Sequence, residues 1–454
     1  MSPAPTGRGA HAGSRGGARG NITDARLAAA DALADMRGGD LLDVAFDRRT
    51  QALDARDRRW VQELVWGSLR RRSGLDAILD ARVKGGIVRL DDDVGDLLRL
   101  GAYQLLHMGS VPPYAAIAQT VELVKQRHGQ GAGGLANAVL RRIDRERDAL
   151  NVAVPTDPID ALAQEHGHPR WLVARWVTRW GADETARLLE GNNTQGPIFI
   201  RPFGIVTEQL EATLEAGGVI ATDAPLARGS LALPTGVALT ELGAFKQGLF
   251  FVQDPAATLV AQYAAIAPGS VVADLCAAPG GKALELSRTA SVVLAADRGP
   301  TRVKRLAENV RRVDARNVHV FAADVRDAAT AQVDVVLLDV PCTGTGTFRR
   351  HPDARWRLKV SDLAVMAAAQ RALMRSAALL VKPGGLLVYS TCSLEPEEND
   401  NQVESFLAEH SGWTLEPPPE GAVPAEVLDG GRLRVLPHRH GVDGAFAARL
   451  RRRA

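Results

Sequence analysis

The chain of 454 residues has three cysteines, Cys276, Cys342 and Cys392. Each ends or closely follows an apolar, strand-like run: "SVVADLC", "VDVVLLDVPC" and "GLLVYSTC". An odd count with no C-x-x-C spacing argues against a disulfide framework. A lone cysteine at a strand end is ordinarily a small buried hydrophobe. Two thiols at neighbouring strand ends, beside an Asp and a Gly-rich loop, point instead to nucleophilic chemistry. "LLDVPCTGTG" puts Asp339, Pro341 and Cys342 at or just beyond one strand, and "YSTCS" puts Cys392 beyond the next. Carbon 5 of a pyrimidine needs such a pair. A thiolate that adds at carbon 6 makes the ring an enamine, and carbon 5 can then attack a sulfonium methyl. A base must take the carbon-5 proton before the thiol can leave, and an acid near ring nitrogen 3 stabilises the adduct. One thiol would be the nucleophile, the other would assist release, and Asp339 would meet the ring nitrogen. Spacing alone leaves open which thiol attacks.

The methyl donor has its own signature. "VVADLCAAPGGK" (Val271 to Lys282) reads as strand, tight turn and helix start, where Gly280 and Gly281 let backbone approach a ligand. A phosphate loop would need Gly in place of Cys276 and Ser or Thr in place of Ala283, and G-x-G-x-x-G is absent. The next two strands end on Asp297, placed for ribose hydroxyls, and Asp324, placed for an adenine edge. Each could by itself be a turn or cap residue. Together with the glycine turn they suit S-adenosylmethionine, which has an adenosine and a zwitterionic tail but no phosphate.

The elements that must position these residues follow from periodicity. From Gln253 onward, short fully apolar strands alternate with helices, which predicts a mostly parallel sheet covered on both faces with its ligand beyond the strand carboxyl ends. Residues 21–150 carry helical periodicity only, starting at "TDARLAAADALADM" with Thr23 as N-cap, so an all-α bundle is expected. Residues 151–250 read as a linker, short helices and a small α+β segment, with strands in "PIFIRPFG", "GVIATDAP" and "SLALPTGVAL". Residues 1–20, rich in Gly, Arg and Ser, read as a disordered, mildly basic tail. Hydrophobic residues at 46% and charged residues at 24% are those of a soluble globular chain. A net charge of +2 predicts no nucleic-acid binding by itself, so any basic surface must be local. With no membrane-length apolar run and no signal-peptide core, a cytoplasmic monomer without membrane partners is expected.

"DLCAAPGGK", "DVPCTGTG", "RRHPDARW" and "YSTCSLEPEEND" together resemble the signature motifs of the RNA cytosine-5 methyltransferases of the NOL/NOP/Sun family. "FVQDPAATLVA" and "LPHRHGVDGAFAARL" are similar to its flanking motifs, the latter with Ala445 where an aromatic is common. The N-terminal helices, with "NAVLRR", resemble the NusB fold. A NusB-like RNA-binding domain ahead of a Rossmann-like methyltransferase domain (251–454) resembles the branch of this family that acts on bacterial small-subunit (16S) ribosomal RNA, so that RNA or its assembly intermediates is the implied partner. The resemblance implies Cys392 as nucleophile and Cys342 in product release. It implies cofactor contacts along Cys276, Ala277, Ala278, Pro279, Gly280, Gly281 and Lys282, and at Asp297, Asp324 and Asp339. Lys282 would hold Asp339 or the cofactor.

"RRHPDARWRLK" (Arg349 to Lys359) offers charge and an aromatic for phosphate contact and base stacking, or else a solvated loop. The target base must be flipped or unpaired to reach the thiols. Glu397, Glu398 and Asp400 read as first-turn dipole partners of a helix started by Pro396. His438 and His440 lack metal-ligand spacing, so no metal is expected. Two rivals remain: a cytosine-5 methyltransferase for transfer RNA or large-subunit (23S) RNA, and a non-catalytic NusB-like RNA-binding or antitermination factor, which leaves two placed thiols and a cofactor loop unexplained.

Overall fold

A computed structural model of the chain describes residues 22–150, 152–327 and 331–454. The expected basic tail, residues 1–20, lies outside the described residues. The chain divides into two compact units, Met1–Ala153 and Val154–Ala454.

The first unit is all-helical among the described residues, with helices at Asp24–Arg37, Leu42–Thr50, Ala55–Arg70, Arg72–Asp80, Asp92–His107 and Pro113–Glu146. Asp54 and Asp91 cap two of them by accepting the amides of Asp57 (2.8 Å) and Asp93 (2.9 Å). Thr23 occupies the expected N-cap position, but its hydroxyl accepts from Arg26 (3.3 Å) rather than from a backbone amide. The last helix kinks at Gly129 (φ 82°, ψ 177°), within the Gly-rich stretch that punctuates the sequence. Leu33, Leu64, Leu98 and Leu140 are buried, as the helical periodicity requires.

The second unit opens with helices Pro158–His166, Arg170–Trp180 and Ala182–Asn193. They bury Leu172, Trp176 and Leu188 in one cluster with Phe348, Leu394 and Leu436, residues from the far end of the chain. A small antiparallel sheet follows, built from β1 (Ile198–Pro202), β2 (Thr222–Asp223), β3 (Leu231–Leu233) and β4 (Phe250–Val252) in the order β2-β3-β1-β4. The expected strand in "GVIATDAP" shrinks to two residues, because Pro225 cannot donate to a ladder. β4 comes from "FVQDPAATLVA" but pairs with this small sheet.

The large sheet contains β5 (Val271–Asp274), β6 (Val292–Asp297), β7 (Val318–Ala322), β8 (Val333–Asp339), β9 (Val381–Thr391), β10 (Trp413–Leu415), β11 (Leu428–Asp429), β12 (Arg432–Val435) and β13 (Ala445–Arg452). Its order is β11-β12-β13-β9-β8-β5-β6-β7, with β10 on β13. β9, β8, β5, β6 and β7 run parallel to one another. β10 to β13 extend the sheet with antiparallel pairings, so it is less parallel than the sequence suggested. Alternate residues face opposite cores: Leu337 and Val388 lie in one, Leu338 and Tyr389 in the other. Burial of both faces is why these strands read as unbroken apolar runs.

One buried ion cluster ties β13 to the small sheet. Arg349 donates to Asp443 (2.5 Å) and Asp254 (2.9 Å), and Arg350 donates to the same two carboxylates (2.8 and 2.7 Å). Asp254 also caps helix Pro255–Ala264 through the Ala256 amide (2.9 Å). Burial, then the neighbouring Asp254, raises the Asp443 carboxyl above the ordinary range, while both arginines oppose this. Breaking such a pair leaves an uncompensated buried charge. Arg349→Ala is therefore expected to lower stability by about 3–5 kcal/mol in urea unfolding; a change near zero would mean that Arg350 alone carries the cluster.

Candidate active site

The site is built where β5, β8 and β9 end. Asp339 lies opposite Ser390 in the β8–β9 register, and Asp274 opposite Leu337 in the β5–β8 register. The chain then leaves β8 through Pro341 and Cys342 and leaves β9 through Cys392. Parallel pairing thus carries both thiols out on the same edge, and their sulfurs lie 3.2 Å apart, both as free cysteines. Gly346 allows the close approach: a Cβ there would meet the Cys392 carbonyl at 2.6 Å and Gly444 Cα at 2.7 Å. The Gly346 amide donates to that carbonyl at 2.9 Å.

The environments differ around the three thiols. The contact with Cys392, then burial, then the charges of Cys392 and Glu398 hold the Cys342 thiol well above its ordinary range. Burial, then Asp274, Asp339 and Asp297, likewise keep Cys276 protonated. Cys276 stands apart from the pair and lines the neighbouring cavity.

Lys282 Nζ donates to Asp339 Oδ2 at 2.7 Å, while Ser390 Oγ donates to Asp339 Oδ1 at 2.8 Å. Burial pulls the Lys282 ammonium down, but Asp339, with Asp274 and Cys392, outweighs it and raises its pKa. Lys282 is thus not the ordinary surface lysine of a helix. The cavity beside this pair measures about 460 Å³. Cys276, Ala277, Ala278, Pro279, Gly281, Lys282 and Asp339 line it, as do Phe199 and His351. Asp297, Asp324, Gly280, Cys342 and Cys392 are not among its walls.

Asp297 is buried, accepts the Gly299 amide (3.1 Å) and pairs with Arg302 (3.1 Å), which also donates to the Ala278 carbonyl (3.0 Å). Asp324 is held by Arg326 through Nε (2.9 Å), Nη2 (2.6 Å) and the backbone amide (3.0 Å). Both therefore make the local turn contacts that short acids favour.

Several readings are corrected here. Glu398 is not a first-turn dipole partner: it is fully buried and bonded to Thr343, Gln370 and Ser393. Asp400 does stand in the first turn of helix Asp400–Glu409, as expected, and also pairs with Arg432 (2.9 Å) and Arg434 (3.0 Å), while Glu397 pairs with Arg175 (2.8 Å). The charged stretch after Cys342 turns inward. Arg349 and Arg350 serve the ion cluster, and Arg355 is fully buried on the carbonyls of Gly167, Asn192 and Phe348. His438 meets Glu184 (2.9 Å), and His440 accepts the Leu436 amide (2.9 Å).

The sequence reading missed Asp274. It is fully buried in the cavity wall, and neither carboxylate oxygen makes a well-aligned hydrogen bond. Its place on the last residue of an apolar strand was the available signal. An unmatched buried acceptor beside Lys282 and Asp339 suits a ligand that brings its own cationic nitrogen and no phosphate. A Cβ on Gly281 would meet Gln253 Nε2 at 2.7 Å, so a side chain there would displace the Gln253 amide from the cavity wall. The site thus fits S-adenosylmethionine.

Burial, then the Asp339 charge, raises the Asp274 pKa to about 7, partly offset by Lys282 and the Cys276 amide. Folding therefore favours the neutral acid. That contribution is complete below the unfolded value of about 4 and is lost as pH rises through the folded value. Denaturant unfolding across this window should show a loss of stability with rising pH that Asp274→Asn lacks. Identical pH profiles would mean that Asp274 is ionised in the fold throughout.

Comparison with known proteins places this geometry. Residues 261–451 match the family model for the 16S rRNA methyltransferase RsmB/F, residues 23–145 that for the NusB family, and residues 168–240 that for the RsmF/B-like ferredoxin-like domain. The ribosomal RNA small subunit methyltransferase B of Vibrio cholerae is 34% identical over 95% of this chain and 98% of its own length. The protein of the same name from Pseudomonas syringae is 33% identical over 94% and 96%. A methyltransferase homolog from Pyrococcus horikoshii matches with a TM-score of 0.56 at 27% identity, over 66% of this chain and 99% of its own. The crystal structure of PH0851 matches with a TM-score of 0.80 at 27% identity, over 94% of this chain and 98% of its own. The chain belongs to the ribosomal RNA small subunit methyltransferase B family and is an S-adenosylmethionine-dependent RNA methyltransferase.

Proposed function

We propose that the enzyme methylates carbon 5 of a cytosine in small-subunit (16S) ribosomal RNA through a covalent adduct with Cys392. The observation that carries this reading is the pair of thiols 3.2 Å apart beside the Lys282–Asp339 ion pair. Methyl transfer to nitrogen or oxygen, which carry lone pairs, has no use for two thiols. Carbon 5 has no lone pair and needs the ring activated first.

S-adenosylmethionine would be held along Cys276 to Lys282 and at Asp297 and Asp324, and would supply an electrophilic methyl group. The chain's own residues do the rest. Cys392 Sγ forms a bond to carbon 6, and the electron pair of the 5,6 double bond becomes available at carbon 5. Lys282, whose ammonium is favoured by negative charge at Cys392, steadies the thiolate before attack. Asp339 keeps lone pairs free beyond its bonds to Lys282 and Ser390, so it can accept from the protonated ring nitrogen 3 of the adduct. After transfer, the Cys342 sulfur, having passed its own proton to solvent, takes the proton from carbon 5. The electrons of that C–H bond rebuild the double bond, and the carbon 6–sulfur bond breaks. Cys342 sits against the leaving sulfur and assists this release. Its raised pKa makes the Cys342 thiolate, once formed, a strong base for that proton. The ribosomal target is favoured by the relatives' names and by the NusB-like unit ahead of the catalytic one.

Two measurements test these assignments. Cys392→Ala should abolish both methyl transfer and any RNA adduct, while Cys342→Ala should accumulate an adduct that survives denaturing electrophoresis. An adduct in the first variant and none in the second would make Cys342 the nucleophile. Activity in both without an adduct would end the covalent mechanism. Separately, Asp297→Ala should weaken S-adenosylmethionine binding in calorimetry, each charged hydrogen bond being worth about 1.5–3 kcal/mol; unchanged affinity removes Asp297 from the cofactor site. Mapping 5-methylcytosine in RNA from cells with and without the gene decides between ribosomal and transfer RNA.

A further inference from the structure

Among the buried acids that the mechanism leaves unused, Glu398 lies between the two thiol loops. Glu398 Oε1 accepts the Thr343 amide (2.9 Å) and Gln370 Nε2 (2.9 Å). Its Oε2 accepts the hydroxyls of Thr343 and Ser393. Thr343 directly follows Cys342, and Ser393 directly follows Cys392. One carboxylate therefore grips the residue after each thiol. Gln370, on helix Val360–Leu379, also donates to the carbonyl of Pro341 (3.0 Å), the residue just before Cys342. The Cys342 turn is thus held on both sides.

Glu398 is itself fixed. Its carbonyl accepts from Tyr389 Oη (2.6 Å), on β9. Next to it, Asn399 accepts from Thr391 (2.6 Å) and donates to the Ser393 carbonyl (2.8 Å). The clamp is thus anchored to β9 through Tyr389 and Thr391, as well as to the loop after Cys392.

We propose that Glu398 is a positioning residue that locks the Cys342 loop to the Cys392 loop and thereby sets the spacing between the two thiols. Its role in turnover rests on the two-thiol reading above. A carboxylate suits the task because it accepts at both oxygens and donates at neither. A glutamine of the same shape brings an amide donor against the donors already converging there. The buried charge serves the same division of labour, because it helps to raise the pKa of the Cys342 thiol.

The test uses the full-length enzyme with Glu398→Gln, Glu398→Asp and Thr343→Val. Thiol spacing is read without RNA, as the rate at which dibromobimane bridges Cys342 and Cys392. Catalysis is read as kcat and KM separately. Glu398→Gln is expected to slow bridging and to lower kcat by about 10- to 100-fold, the usual penalty for a small misplacement of reacting groups. KM for S-adenosylmethionine should stay near that of the unaltered enzyme. Thr343→Val, which removes a single hydroxyl donor, should show the same pattern more weakly, and it decides the question if Glu398→Gln fails to fold. Bridging and kcat unchanged in the folded variants would overturn the proposal, as would a loss in KM with kcat retained. If instead Cys392→Ala remains active, the two-thiol reading fails, while the bridging rate still reports whether Glu398 sets the spacing.

Discussion

The register of two parallel strands is the constraint on which the site depends. With Asp339 opposite Ser390, the residues that leave β8 and β9 emerge side by side at one edge of the sheet. Slipping that register would place Ser390, the donor to Asp339, on the opposite face. The pairing is secured by burial: the inner residues of both strands are apolar and covered on both sides, leaving no solvent-facing alternative. The Lys282–Asp339 pair and the sulfur contact are consequences of this register together with the β5–β8 pairing.

Around that edge the fold places charges where water is scarce and matches nearly all of them. Arg349 and Arg350 share Asp254 and Asp443, and Glu395 takes the indole of Trp176 (2.9 Å) and Arg175 (3.0 Å). Isolated buried ions are expensive, and pairs with full hydrogen bonding are tolerated and hold geometry. These clusters join distant parts of the second unit: the helices near residue 175 to the turn after Cys392, and the small sheet to β13. Asp274, in the wall of the cavity, is the buried carboxyl among the described residues whose two oxygens both lack a well-made partner. An unmatched buried carboxyl in a cavity wall suits a ligand that brings the missing donor.

Charge in the sequence was a poor guide to surface. "RRHPDARWRLK" has the composition of a nucleic-acid contact, yet Arg349 and Arg355 are buried and spend their donors inside the fold. Composition records that a guanidinium is present, whereas its direction depends on carbonyls and carboxylates that reach it from residues 167–254 and 441–443. Glu398 was misjudged for the same reason. Its position after a Pro-led turn has the pattern of a helix-start acid, and its real partners come from residues 343, 370 and 393.

What the sequence determined by itself was local. The apolar runs specify strands, the helical periodicity specifies an all-α first unit, and the glycine turn after "VVADLC" specifies a ligand loop. The strand-end positions of Cys342, Cys392, Asp339 and the Cys276–Lys282 loop were legible because the apolar runs before them have a recognisable pattern. Periodicity, glycine and proline act through the backbone within a few residues, so they can be read along a line. Only the tertiary structure decided which strand ends meet. It separated Cys276 from the thiol pair, added the antiparallel strands β10–β13, and brought Lys282 to Asp339 and Glu398 between the two loops. Those outcomes depend on long-range pairing and on the demand that each buried polar group find a partner, and no local pattern encodes who that partner is.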